Sequence, residues 1–265
     1  MELGFSGEVA ELYRRYRRGY PPAVLDALTA AFRLESEDVV VDLGCGTGQL
    51  TLPMTRRVRA VVGMDPEPDM LQQARQAARE LGVSNASWLV GSDTDLPALR
   101  RLLGDGSVGA VTVGQALHWM DHPVLFGEVI SLVRPGGGIA VVTNGTPLWL
   151  QDTDWSRALR EFLEGWLNVA ATAACGTDED SQRRYREDLA AAGFDVFGTA
   201  VDYVADLDLD QLVGGVYSAL GVDRLPALDQ RPAFAAQVRA ALAPQERFRE
   251  HVHVAILAGK VRGSR

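Results

Sequence analysis

The 265-residue chain contains no run of about eighteen apolar residues, so no membrane-spanning helix is expected. Its first residues, MELGFSGEVAELYRRYRRGYPP, carry charge throughout and lack the apolar stretch of a secretory signal, so a cytoplasmic location is the expectation. Cysteine is scarce: Cys45 and Cys175 stand far apart with no paired spacing, which argues against a disulfide framework or a thiolate zinc site. An excess of positive charge is missing too. Lys and Arg number 26 against 35 Asp and Glu, a net charge of −9, so DNA or RNA is repelled overall. No internal repeat or low-complexity segment is visible. What is present is an ordinary soluble composition, 47% hydrophobic and 23% charged, at a length that suits one large domain or a core with a smaller cap.

Strand-like and helix-like segments alternate through the first half. The pattern predicts helices over 8–18 and 21–34, then strand 39–43, helix 48–57, strand 60–64, helix 67–81, strand 86–90, strand 108–113, helix 122–133 and strand 138–143. RPGGG at 134–138 reads as a helix stop and a turn. The strands are short, Val-rich and apolar on both faces, as in a parallel sheet covered by helices. This predicts a doubly wound, Rossmann-like α/β fold. After Asn144 the alternation fades into helices near 155–169, 181–192, 208–219 and 231–242, with strands at 194–204 and 251–261. The expectation is one domain over 1–265. Residues 1–145 would form its ligand-binding half, and residues 146–265 the remaining strands of a seven-stranded sheet with an inserted helical lid.

VVVDLGCGTGQL, residues 39–50, is the most informative stretch. A strand runs into Asp42, and glycines follow at 44, 46 and 48, where backbone must approach a ligand closely. A P-loop would need a Lys and a hydroxyl at the end of G-x-x-x-x-G-K-[ST], and this loop has no Lys. A dinucleotide fingerprint needs a third small residue, but the sixth position is Gln49 or Thr51, so that fit is partial. Asp65 ends the second strand 23 positions after Asp42, where a carboxylate can accept both ribose hydroxyls of a nucleoside-containing cofactor, a dinucleotide included.

VDLGCGTGQL resembles motif I of the class I S-adenosylmethionine-dependent methyltransferases. AVVGMD, VGSDTDLP, SVGAVTVGQALHWMD and LVRPGGGIAVVT extend the resemblance in order over residues 39–145. It implies S-adenosylmethionine as cofactor and S-adenosylhomocysteine as product. Gly44, Cys45, Gly46 and Gly48 would pass the methionyl part, with Asp42 facing its amino group. Asp65 would hold the ribose, Met64 and Pro66 would pack on the adenine, and Asp93 and Thr94 would meet the adenine edge. Gln115 would touch the adenosine or methionyl group, or simply stabilise a turn. YRRYRRGYPPAVLDAL and GQALHWMD are similar to the trans-aconitate methyltransferase-like, type 11 subgroup. There an N-terminal helix covers the methionyl end, which makes Tyr13 and Arg17 candidate cofactor contacts and Tyr16 and Tyr20 candidate substrate contacts.

Methyl transfer is an in-line displacement, and a base is needed only when the nucleophile must lose a proton. His118 is the candidate catalytic and substrate-binding residue; a hydrogen-bonded structural His is the plainer alternative. Trp119 would wall the pocket or fill the core, and Trp149 would line the lid. Cys45 reads as a packing residue. His251 and His253 share a strand face without further ligands, and Asp206, Asp208 and Asp210 read as helix-start acids, so no metal site is expected. The expected partner is a small molecule, with no nucleic acid and no membrane, and the lid helices could equally serve a homodimer. Oxygen, including a carboxylate, is favoured as acceptor over carbon or nitrogen. The other readings are a fold that holds the cofactor structurally while it catalyses a cyclisation or merely binds, and a nicotinamide dehydrogenase. The Ala-, Arg- and Gly-rich composition hints at a high-GC bacterium and secondary metabolism.

Overall fold

The computed structural model describes residues 4–171 and 175–262. Among them, seven strands form one sheet: β1 (Val39–Leu43), β2 (Ala60–Asp65), β3 (Ala86–Val90), β4 (Val108–Gly114), β5 (Val133–Val142), β6 (Asp195–Leu207) and β7 (Phe248–Lys260). The helices are α1 (Glu8–Tyr16), α2 (Pro22–Phe32), α3 (Thr51–Met54), α4 (Pro68–Glu80), α5 (Leu96–Leu103), α6 (His122–Leu132), α7 (Asp154–Leu167), α8 (Glu179–Ala191), α9 (Leu209–Tyr217) and α10 (Arg231–Leu242). The strand order is β3-β2-β1-β4-β5-β7-β6. β1 to β5 pair in parallel, and β7 runs antiparallel to β5. This is the doubly wound α/β class that the alternation predicts. The order reverses at β1, which pairs with β2 on one side and β4 on the other. Right-handed crossovers in both directions put helices on both faces, and ligands bind at such a switch point, beyond the carboxyl ends of β1 and β4.

The chain divides into two compact units. A sheet unit comprises residues 18–144, 175–201 and 254–265; a helical unit comprises residues 1–17, 145–174 and 202–253. The sheet unit's core is Val41, Leu43, Val111, Val113, Phe126, Val129 and Ile139 with their neighbours. α4 shows how local sequence builds it. Pro68 starts the helix, Asp69 lies in its first turn and Arg79 in its last, and Met70, Leu71, Ala74 and Ala78 recur on its buried stripe. The helical unit holds α1, α7, α9 and α10 around Trp155, Leu159, Leu163, Leu212, Val216, Phe234 and Phe248. Its helices begin on side-chain caps: Thr153 accepts from Ser156 N, and Asp208 exchanges bonds with Gln211.

Three expectations need correction. The helix over 48–57 is a single turn, α3, because the glycine loop runs on to Leu50. α5 was not foreseen: Leu96 and Leu99 face the core from a helix that Pro97 opens, within a stretch too short to show a period. RPGGG is not a turn, since β5 begins at Val133 and runs through it, with a register irregularity between Val108 and Ala110 of β4. The glycines answer to crowding. A Cβ at Gly137 would sit 2.4 Å from Gly109 O, and one at Gly138 would sit 2.0 Å from Gly259 O.

Candidate active site

The loop after β1 is fixed by close approach on two sides. Gly44 has φ +63°, and a Cβ there would lie 2.4 Å from the Ala116 Cβ in the loop after β4. Gly48 has φ +90°, and a Cβ there would lie 3.1 Å from Trp88 Cη2 and from Leu52 Cγ. Between them Gly46 N donates to Asp65 Oδ2 at 2.8 Å, and Cys45 N donates to Met64 O at 3.1 Å. The loop is therefore docked on the end of β2.

Two carboxylates lie buried against this loop. Asp42 is 1% exposed; its Oδ2 accepts from Thr51 Oγ1 at 2.5 Å and its Oδ1 from Thr112 Oγ1 at 2.7 Å. Burial pushes its pKa up to about 6, against the two threonine hydroxyls that hold it down. Asp65, also buried, accepts from Glu67 N at 2.9 Å as well as from Gly46, and burial again raises it. Among the described residues neither pairs with Lys or Arg, so the ground beneath the glycine loop is negative. Burial, then the charges of Asp42 and Asp65, hold the Cys45 thiol well above its ordinary value, which leaves it an inert packing group.

Sequence reasoning names Gln115 but not the strain and free oxygen that the structure shows there, and it misses Asn144. Gln115 is a non-glycine residue at φ +58°, held by Gln115 N donating to Val142 O at 2.9 Å, and its buried Oε1 has no partner. A strained residue with an unsatisfied buried oxygen marks a place where a ligand is expected. Among the described residues, further buried oxygens of the sheet unit lack hydrogen-bond partners, and two of them lie near this loop and the end of β5: Thr47 Oγ1 in the glycine loop and Asn144 Oδ1 just past β5. Asn144 was not a candidate, because a single Asn after a strand carries no pattern. Its Nδ2 donates to Arg18 O at 3.3 Å and Gly19 O at 3.1 Å, while Arg18 Nη1 donates to Asn144 O at 3.0 Å. Those two carbonyls can only face the amide nitrogen, so the orientation of the side chain is fixed with Oδ1 free. Next along the chain, Tyr20 brings its Oη within 2.7 Å of where a Gly114 Cβ would be, at the end of β4.

His118 and Trp119 sit in a 3-10 turn after β4, with ring centroids 5.0 Å apart. Burial lowers the His118 pKa, so its imidazole is neutral at pH 7. Trp119 is 54% exposed and does not fill the core. Gly176 closes on His118 from another segment: a Cβ there would lie 3.5 Å from His118 Cβ and 2.7 Å from Tyr185 Oη, and Gln182 Nε2 binds Gly176 O at 2.7 Å. Asp93 is half-buried, and its Oδ2 accepts from Asp121 N at 3.0 Å; Thr94 Oγ1 lies 2.8 Å from Ser92 Oγ. Met64 is buried in the core cluster, and Pro66 is half-buried beside Asp65.

The other candidates fall in the helical unit. Tyr16 packs across α9, where a Cβ at Gly214 would lie 2.3 Å from its ring. The Arg17 guanidinium stands 5.0 Å from the Tyr13 ring centroid, and Tyr13 meets Phe5 edge-on. Trp149 packs against that unit's core with its Nε1 buried and unpartnered. Among the described residues no group of His, Cys, Asp or Glu is placed to hold a metal, and no helix is long and apolar enough to cross a membrane.

Comparison with known proteins bears on this geometry. The family model of the methyltransferase domain matches residues 40–137. An uncharacterized methyltransferase of Mycobacterium bovis is 36% identical over 163 residues, covering 62% of this chain and 60% of that one. A methyltransferase-family protein of Dictyostelium discoideum is 27% identical over 140 residues, covering 52% and 48%. The chain thus spans at most about 60% of the length of these two relatives. Among solved structures, a protein assigned as a type II methyltransferase from Anaeromyxobacter dehalogenans superposes with a TM-score of 0.64 at 22% identity, over 94% of this chain and all of that one. That likeness is one of fold.

Proposed function

We propose that residues 40–137, which match the methyltransferase-domain family model, form a class I, S-adenosylmethionine-dependent methyltransferase domain, and that the chain transfers a methyl group from S-adenosylmethionine to a hydroxyl oxygen of a small molecule. One observation carries the choice of cofactor. Asp42 and Asp65 are buried beneath the glycine loop with no basic partner among the described residues, a setting that favours a sulfonium and ammonium and repels a pyrophosphate. The unpartnered Thr47 Oγ1 and Gln115 Oε1 are consistent with a bound group at the same strand ends. Asp65 would hold the ribose, the Gly44–Gly48 backbone the methionyl part, and Asp93 with Thr94 the adenine edge. Tyr13, Tyr16, Arg17 and Trp149 stay candidates, and all four lie in the helical unit.

The cofactor supplies a methyl carbon on a positively charged sulfur. His118, neutral through burial, takes the acceptor's proton as the oxygen attacks. Trp119 screens the reacting atoms from water. Asn144 Oδ1 and Gln115 Oε1 are hydrogen-bond acceptors, so they welcome a hydroxyl and repel a carboxylate. The net charge of −9 favours a small molecule over a nucleic acid.

The test is a panel of matched alcohols, phenols and carboxylic acids, with S-adenosylhomocysteine counted against product. One S-adenosylhomocysteine per methylated hydroxyl is the expected outcome. Product without S-adenosylhomocysteine would mean a structural cofactor, and turnover confined to carboxylates would remove the hydroxyl assignment.

A further inference from the structure

Trp88 lies in β3, directly across the sheet from Gly63 of β2. Paired residues on parallel strands project to the same face, so the missing side chain at Gly63 leaves a slot beside the indole. The indole fills it. A Cβ at Gly63 would lie 2.9 Å from Trp88 Cε3 and Cζ3, and 3.0 Å from Cys45 Sγ. The next atom of the same ring, Cη2, reaches within 3.1 Å of where a Gly48 Cβ would be. One half-buried indole therefore spans a glycine in the middle of β2 and the last glycine of the loop. The loop's two hydrogen bonds to β2, from Cys45 N to Met64 O and from Gly46 N to Asp65 Oδ2, lie along the same seam.

We infer that Trp88 is a positioning residue for cofactor binding: its indole sets the height of the Gly44–Gly48 loop above β2, and with it the meeting of Gly46 N–H and the Asp65 carboxylate. The inference rests on the cofactor reading above. The indole is a rigid plate with few rotamers, so it transmits position better than an aliphatic side chain would. The glycine at position 63 has a matching cause: its φ lies outside the left-handed region, so it is required by the indole and not by its backbone.

The two sites can be exchanged. Gly63→Ala pushes a methyl into the indole, Trp88→Leu empties the slot, and the double variant restores part of the lost volume. Binding of S-adenosylhomocysteine is measured by calorimetry on all four proteins, with circular dichroism confirming that each is folded at the working temperature. The expected result is a loss of at least about tenfold in affinity for each single variant and recovery to within about threefold in the double variant, the size of coupling seen between residues in contact. A residue that merely packs would move the melting temperature and leave affinity alone. Single variants within about twofold of the parent, or a double variant that multiplies the two losses, would overturn the inference. If Gly63→Ala does not fold, the series Trp, Phe, Leu at position 88 carries the test: affinity falls in that order, and equal affinities overturn it. A parent chain that binds no S-adenosylhomocysteine instead strikes the cofactor reading, so the two failures are told apart.

Discussion

Buried polar groups behave differently in the two units. In the helical unit Ser156 Oγ bonds Leu148 O at 2.7 Å, Ser218 Oγ bonds Gly215 O at 2.8 Å, and Glu250 accepts from Gln151 at 2.6 Å. Each is satisfied inside the unit, as a scaffold requires. In the sheet unit Thr47, Gln115 and Asn144 keep buried oxygens without partners, and Asp42 and Asp65 keep carboxylates without cations among the described residues. Leaving the three oxygens of Thr47, Gln115 and Asn144 unsatisfied costs about 1–3 kcal/mol each, a cost that a bound ligand offsets. The sheet unit therefore carries the marks of a binding site and the helical unit those of a packed support. Trp149 Nε1, a buried donor without an acceptor among the described residues, is the helical unit's exception.

Substitutions can break this contrast. The largest effect is expected from His118→Ala, which should lower turnover by about 10²–10⁴-fold and leave S-adenosylhomocysteine affinity unchanged. Equal turnover would return His118 to a structural role. Next, Leu159→Ala in the helical core should cost about 2–5 kcal/mol in denaturant unfolding, because the side chain is fully buried. A cost under about 1 kcal/mol would show that α7 is loosely held.

Asp42→Asn probes pH. The folded pKa of Asp42 is raised to about 6 from 3.8, so the folded state takes up the proton first. Its contribution to stability should rise as pH falls from about 6 towards 3.8, and the Asn variant should lack that rise. Parallel stability profiles for the two proteins would contradict the burial argument. The smallest effect belongs to Asp208→Ala, which removes the α9 cap and should cost about 0.5–2 kcal/mol without touching ligand affinity.

The same contrast governs what could be read without coordinates. The Val-rich runs of β1, β2 and β4 are apolar on both faces because helices cover both, and that pattern survives in one dimension. The glycines at 44, 46 and 48 are legible because φ and close approach leave no other residue type. Gln115 was found only through its place in a motif, and its strain and free oxygen needed the third dimension. Asn144, Gly176 and Trp88 were invisible because each acts through a neighbour distant in sequence: Arg18, His118 and Gly63. RPGGG was misread because local turn chemistry was overruled by the backbones of β4 and β7 on either side.

On this reading the negative ground beneath the Gly44–Gly48 loop holds S-adenosylmethionine. Calorimetric titration with S-adenosylhomocysteine, with NAD in a parallel run and both repeated on Asp65→Ala, tests it most directly. The expected outcome is binding of S-adenosylhomocysteine, its loss or strong weakening in the variant, and no binding of NAD. Binding of NAD alone would contradict it and reassign the glycine loop and Asp65 to a dehydrogenase.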